Sequence, residues 1–121
     1  MTATDALLVA LGAAFGAPLR YLVNHWVREH LGGTPTAGTL VVNVVGSLVL
    51  GAVVGAGVGA APLALVGIGF CGALTTFSTL ALEVWDALSD DRHFHAVANV
   101  AISLTFGIGA AWLGWVLAGG R

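Results

Sequence analysis

The sequence contains very few charged residues. Only 8% of its 121 residues are charged, four Lys or Arg and six Asp or Glu, whereas 58% are hydrophobic. A soluble domain carries charge on roughly a quarter of its residues, so this surface is unsuited to water. The net charge of −2 provides no basic patch, which argues against a nucleic-acid partner. We therefore predict an integral membrane protein.

Reactive side chains are also scarce. The single cysteine, Cys71, cannot form an intrachain disulfide. The sequence shows no nucleophile–base pair, so we do not predict an enzyme, and no string of carboxylates that would form a cation path or proton relay. The first residues, MTATDALL, lack the basic region of a signal peptide, and we expect the first apolar segment to be retained.

Long apolar segments dominate what is present. A helix needs about 20 residues to cross a hydrocarbon core of about 30 Å. Four segments qualify, at about residues 6–27, 38–58, 63–88 and 96–118. We predict an all-α integral membrane protein whose residues 1–121 form a single four-helix transmembrane domain, multi-pass in the cell membrane.

The membrane orientation is weakly specified. Arg28 and Arg92 lie in connections on one face, and Arg121 lies on the other. Because the excess of basic residues on cytoplasmic loops sets orientation, this chain has little bias. It inserts either with a weak preference or in both orientations, and dual topology is one of these two hypotheses.

Glycines recur at four-residue spacing in two segments. They are Gly12 and Gly16 in the first segment, and Gly51, Gly55 and Gly59 in and after the second. Such spacing lets helix backbones approach closely. Packing within one bundle and packing between subunits both fit this pattern.

Among the polar residues within the apolar segments, where polar groups are costly, we select five as functional candidates. They are Arg20, Asn43, Glu83, Asn99 and Ser103. Each also has a structural interpretation: Arg20 and Glu83 could reach towards the interface, Asn43 could bond a neighbouring helix, and Ser103 its own backbone.

The four histidines are assigned to loops on one face. They are His25, His30, His93 and His95. A His-x-His pair with two further histidines could bind a transition metal, but solvated loop side chains explain them equally simply.

The stretch GFCGALTTFSTLALE (69–83) interrupts the third segment with glycines and hydroxyls. This composition predicts a local break in the helix, which frees backbone carbonyls and is tolerated only where protein or a polar cavity covers them. Converging carbonyls suit a cation, whereas hydroxyls and the electropositive edge of an aromatic ring suit an anion.

This stretch resembles a signature motif of the Fluc fluoride channels, the CrcB family. Two further motifs of that family are similar to GAPLRY (16–21) and GTLVVNVVGSLVLG (38–51). The resemblance implies a fluoride-specific channel that exports fluoride passively and lowers its toxicity in the cytoplasm. It also implies an antiparallel dual-topology dimer with two pores, formed with a second copy or a paralogue, and a third helix broken near its middle.

The resemblance also assigns residues. Gly72 and Thr75 would provide backbone carbonyls to a structural sodium ion at the dimer centre. The residues expected along the anion path, including hydroxyls able to donate to fluoride, are Arg20, Asn43, Phe77, Ser78, Thr79 and Ser103.

Three positions depart from the family pattern. Ala73 stands where a second glycine is usual, Leu80 where a second phenylalanine is usual, and Asn99 where a tyrosine often begins the polar track of the fourth span. Leu80 changes the aromatic part of the expected pore.

Two other functions remain open at this point. A small proton-coupled multidrug exporter has a similar size, but it requires a carboxylate deep in the membrane, and the first segment has none. A non-conducting membrane assembly subunit would use the glycine-rich faces only to pack against a partner.

Overall fold

The computed structural model describes residues 2–32 and 35–121, and these residues form helices and short connections without a strand. The helices are α1 (Ala3–His30), α2 (Pro35–Gly55), α3 (Ala60–Pro62), a π-helix (Leu63–Cys71), α4 (Gly72–Leu74), α5 (Phe77–Ser89) and α6 (His93–Leu117). Within the described residues, four helical stretches are long and apolar enough to cross a membrane: Ala3–His30, Thr36–Gly55, Ala60–Ser89 and His93–Leu117. The prediction of an all-α protein with four apolar helices is confirmed.

A capping box starts α1. The Asp5 N–H donates to Oγ1 of Thr2 (3.2 Å), and the Thr2 N–H donates to Oδ2 of Asp5 (2.9 Å). Two backbone donors at the helix start are thereby satisfied. The helix continues through Pro18 to His30, so it extends beyond the apolar segment.

The histidines lie in helices, and their assignment to loops is wrong. His25 and His30 are in the last turns of α1, while His93 and His95 are in the first turn of α6. Hydropathy marks the part of a helix that suits the membrane, whereas backbone hydrogen bonding carries the helix past that part. The connection between α5 and α6 is therefore only residues 90–92.

Glycine contacts hold α2 and α6 together. A Cβ atom added at Gly51 or Gly55 would collide with the backbone of Ala111 or Trp115, and one at Gly114 would collide with the Leu48 carbonyl. The two helices therefore meet backbone to backbone, at a distance that larger residues forbid. At these positions the glycines of α2 serve packing within one chain.

Glycines also allow α1 to approach the π-helix closely. A Cβ at Gly12 would collide with the carbonyl of Leu65, and one at Gly16 with that of Phe70. In return, a Cβ at Gly69 would collide with Val9. The pair Gly12 and Gly16 thus also packs inside the bundle, whereas Gly59 has no neighbour within 4 Å of an added Cβ.

The third apolar stretch is not uniform along its length. It runs from α3 directly into the π-helix and α4. Thr75 (φ −81°, ψ 158°) and Thr76 (φ −149°, ψ 112°) then have extended backbone, and α5 starts at Phe77. The Thr75 N–H still donates to the Cys71 carbonyl. The Thr76 N–H donates to Asn43 instead, so the Gly72 carbonyl lacks its usual helical partner.

The glycine contacts predict an asymmetry between two substitutions. Gly51→Ala should destabilise the folded protein by about 1–3 kcal/mol, because the methyl group must displace the backbone of α6. Gly109→Ala is the matched control, since an added Cβ there meets nothing within 4 Å. Thermal unfolding in detergent should show a lower midpoint for Gly51→Ala alone. Equal midpoints would contradict the close approach of α2 and α6.

Candidate functional site

The amide of Asn43 binds the extended segment from α2. Its Oδ1 accepts a hydrogen bond from the Thr76 N–H (2.7 Å), and its Nδ2 donates to the Thr76 carbonyl (3.2 Å). A single side chain therefore satisfies both backbone groups of a residue that has left the helix. Since an amide nitrogen carries two hydrogens, one N–H of Asn43 remains for another acceptor.

The hydroxyl of Thr76 organises the start of α5. Its Oγ1 accepts from the Thr79 N–H (3.2 Å), which is an N-cap interaction, and it donates to Oγ1 of Thr79 (3.0 Å). Ser78 Oγ lies 3.2 Å from the same oxygen. Because Thr76 has one hydroxyl hydrogen, Ser78 must donate in this last contact. The hydroxyl hydrogen of Thr79 therefore stays available.

Arg20 approaches the segment from α1. Its Nη1 donates to the Thr75 carbonyl at 3.2 Å, and the side chain is half-buried. The guanidinium is thus directed into the protein instead of extending to the membrane interface. Together, Arg20 and Asn43 bond two consecutive carbonyls, those of Thr75 and Thr76.

The Thr75 side chain and backbone both turn back to the preceding helix. The Thr75 hydroxyl donates to the Cys71 carbonyl (2.9 Å), and its N–H donates to the same oxygen (3.0 Å). The next N–H, that of Thr76, is taken by Asn43. The Gly72 carbonyl, four residues before Thr76, consequently loses the N–H that a continuous helix would provide.

These groups surround an open cleft of about 530 Å³ that we call the central cleft. It is lined by Asn43, Gly46, Ser47, Leu50, Gly67, Ile68, Cys71, Gly72, Thr75, Thr76, Phe77 and Leu80. Phe77 is 82% exposed. The structure therefore brings together four residues that the sequence singled out, Asn43, Gly72, Thr75 and Phe77, and it places Leu80 beside them.

None of the described hydrogen bonds joins Ser103 to the residues of the central cleft. Its Oγ donates to Oδ1 of Asn99 (3.3 Å), one turn earlier on α6. Asn99 belongs to a second cleft of about 530 Å³, which we call the charged cleft. The charged cleft is lined by Thr36, Ala37, Leu40, Glu83, Asp86, Arg92, His95, Ala98, Asn99 and Ile102.

From the sequence, Glu83 was either a functional candidate or a side chain that reaches towards the interface. Both carboxylate oxygens are buried and have no hydrogen-bond partner among the described residues. A buried carboxyl group without partners is costly, which makes Glu83 a candidate for a polar contact in the charged cleft. The position of this carboxylate inside the third apolar segment was the available signal.

Thr76 was also missed as an individual residue. The sequence shows it only as one of the hydroxyls of the stretch 69–83, yet it caps α5 and joins Ser78 and Thr79. A threonine preceding a helical run is a recognised N-cap signal. A hydroxyl in this stretch could contact an ion or cap a helix. In the structure, the hydroxyl of Thr76 caps α5.

The arrangement suits a small anion better than a metal ligated by side chains. Spare donors are the second N–H of Asn43 and the hydroxyl of Thr79, and the exposed ring of Phe77 adds a weakly electropositive edge. Among the described residues, no group of three His, Cys, Asp or Glu side chains could hold a metal. Any cation at this site would depend on backbone oxygens.

Comparison with known proteins identifies a family match. The family described as CrcB-like protein, Camphor Resistance (CrcB), matches residues 7–115. A protein of Rhodococcus jostii named fluoride-specific ion channel FluC 2 is 46% identical over 111 residues, covering 92% of this chain and 96% of that protein. Fluoride-specific ion channel FluC 1 of Nocardia farcinica is 44% identical over 105 residues, covering 87% and 74% respectively.

Proposed function

Because this chain belongs to the CrcB-like protein family, we propose that it is a fluoride-specific ion channel of the cell membrane. The names of its relatives and its four apolar helices support this function. The single observation that carries it is the Asn43 amide, which anchors the extended segment and keeps one N–H for an anion.

Fluoride is small and strongly hydrated, so a pore must replace its water with hydrogen-bond donors. Asn43 and Thr79 provide an N–H and an O–H, and the exposed ring of Phe77 adds an electropositive edge. Ser78 and Ser103 extend this path, and Arg20 adds a positive charge near its start. Several weak sites in sequence allow an ion both to enter and to leave. Flow is passive, and fluoride trapped in the cytoplasm leaks outward.

The channel functions as an antiparallel dual-topology dimer, formed with a second copy or a paralogue. The strongest support from this chain is the exposure of Phe77, at 82%, together with the open central cleft. In this arrangement the third span is broken near its middle at Thr75 and Thr76. A partner covers that polar segment, because lipid cannot satisfy it.

A structural sodium ion at the dimer centre fits the residues present. The Gly72 carbonyl lacks its helical donor because the Thr76 N–H bonds Asn43, and Gly72 is exposed with open space around its Cα. Arg20 uses one lone pair of the Thr75 carbonyl, and a carbonyl oxygen has two. The carbonyls of Gly72 and Thr75 from each chain would hold the ion, which would neutralise their converging dipoles.

Fluoride transport can be tested through Asn43. The pure protein in liposomes should release fluoride, without need of a proton gradient, to a fluoride electrode. Asn43→Asp should reduce the rate by about tenfold or more, because like charges at close range in a low-dielectric pore repel by more than about 1.4 kcal/mol. The ionised carboxylate also cannot donate to the Thr76 carbonyl.

The control for this variant is Thr105→Val, which changes an exposed residue of α6 outside both clefts. It should transport at the wild-type rate. Gel filtration should show Asn43→Asp assembling normally. An unchanged rate in Asn43→Asp would restrict Asn43 to packing, and a wild-type protein impermeable to fluoride would refute the channel.

Sodium dependence is expected from the central carbonyls. Four buried acceptors from two chains are costly without a cation among them. Exchange of sodium for a large organic cation during purification should lower the thermal midpoint of the dimer and its fluoride flux, and returning sodium should restore both. Equal midpoints after prolonged exchange would count against the site.

Leu80 generates a prediction about flux. Leucine fills space beside Phe77 in the central cleft but lacks an electropositive edge. In a self-paired dimer, Leu80→Phe should increase fluoride flux without admitting chloride. Leu82→Phe is the matched control, since Leu82 is 58% exposed and does not line the cleft. A flux that stays constant or falls in Leu80→Phe would refute the aromatic explanation of this position.

A further inference from the structure

Gly46 lies on α2 three residues after Asn43, so the two residues share one face of that helix. It is buried and lines the central cleft. A Cβ atom added at Gly46 would collide with Cγ2 of Thr75, the methyl group of that side chain. The next atoms, the Cys71 carbonyl oxygen and the Thr75 Cβ, lie at 3.7 Å, which is an ordinary van der Waals distance. Among the described atoms, the Thr75 methyl group is therefore the one that blocks a larger residue.

This contact differs from those of the glycines that bring helices together. An added Cβ at Gly51 would meet the backbone of Ala111, which can move only together with its helix. At Gly46 the obstacle is one methyl group of one side chain. The space that Gly46 leaves open therefore determines how that single side chain is placed.

Thr75 is held on several sides. Its N–H and its hydroxyl both donate to the Cys71 carbonyl, at 3.0 and 2.9 Å, and its own carbonyl accepts from Arg20 at 3.2 Å. Its methyl group points at Gly46. A β-branched side chain has few χ1 rotamers, and turning this one would withdraw the hydroxyl from Cys71. A methyl group added at Gly46 must therefore break that hydrogen bond or push Thr75 away from α2.

We propose that Gly46 is a positioning residue for cation binding, because the room it leaves for the Thr75 methyl group sets the direction of the Thr75 carbonyl. This role rests on the structural sodium ion proposed above, whose ligands are the carbonyls of Gly72 and Thr75. Coordination distances to a cation vary within a narrow range. Groups that only orient the ligands of a metal consequently change its affinity by about 10- to 100-fold when they are altered.

The test measures sodium affinity through the thermal stability of the protein in detergent. A cation that binds only the folded state raises the thermal midpoint once its concentration exceeds the dissociation constant. The sodium concentration at which this rise begins, the onset, therefore reports the affinity. Sodium is first exchanged, over a long incubation, for a large organic cation at constant ionic strength. Gly46→Ala should raise the onset about tenfold or more.

A second pair of variants moves the methyl group from one side of the contact to the other. Thr75→Ser keeps the hydroxyl and the carbonyl but removes the methyl group, so the side chain is less constrained and the onset should rise. Combining Gly46→Ala with Thr75→Ser fills the vacated space from α2 and should return the onset towards the wild-type value. If Gly46→Ala alone does not fold, a folded double variant with the wild-type onset still supports the proposal.

Gly51→Ala is the matched structural control. Its added methyl group meets the backbone of α6, and Gly51 does not line the central cleft. The midpoint of this variant should be lower at every sodium concentration, while the onset stays at the wild-type value. A general loss of stability is thereby separated from a loss of cation affinity.

Three results would overturn the role of Gly46 alone: an unchanged onset in Gly46→Ala, a double variant that binds no better than either single variant, or an equal shift in Gly51→Ala. A wild-type protein whose midpoint does not respond to sodium would overturn the sodium site and this role together. Fluoride flux is not the readout, so a failure of the channel itself is detected separately in liposomes.

Discussion

The absence of water in a membrane interior places the strongest constraint on this fold. Each unpaired backbone N–H or C=O there costs several kcal/mol, so the chain is helical wherever it faces lipid. At Thr75 and Thr76 the ladder is interrupted, and two side chains replace it: Asn43 bonds both backbone groups of Thr76, and Arg20 bonds the Thr75 carbonyl. The relative positions of α1, α2 and the third stretch depend on these bonds.

Glycine contacts provide the precision that those bonds require. Hydrogen bonds from Asn43 and Arg20 are effective only if their helices lie at fixed distances from the extended segment. Gly12 and Gly16 set the distance between α1 and the π-helix, and Gly51 does so between α2 and α6. Small residues are therefore part of the site, although none of them provides a polar side chain.

The polar side chains have structural partners and retain capacity beyond them. Asn43 has a second N–H, Thr79 keeps its hydroxyl hydrogen, and Glu83 is buried without a described partner. The first two are hydrogen-bond donors that suit an anion, whereas the carboxyl oxygens of Glu83 are acceptors. The proposed fluoride path therefore depends on the donors that remain after the structural contacts are made.

The sequence by itself determined that the protein lies in a membrane, that it has four apolar helices and which residues are functional candidates. Hydropathy and motif spacing are local properties, so they can be read from the sequence. It also identified Asn43, Gly72, Thr75 and Phe77 individually, which tertiary structure gathered around one cleft. The sequence could not distinguish which hydroxyl caps a helix and which stays available, nor where a carboxylate points. Only tertiary structure decided these, because a hydrogen bond or a buried charge depends on what a neighbouring helix brings within about 3 Å.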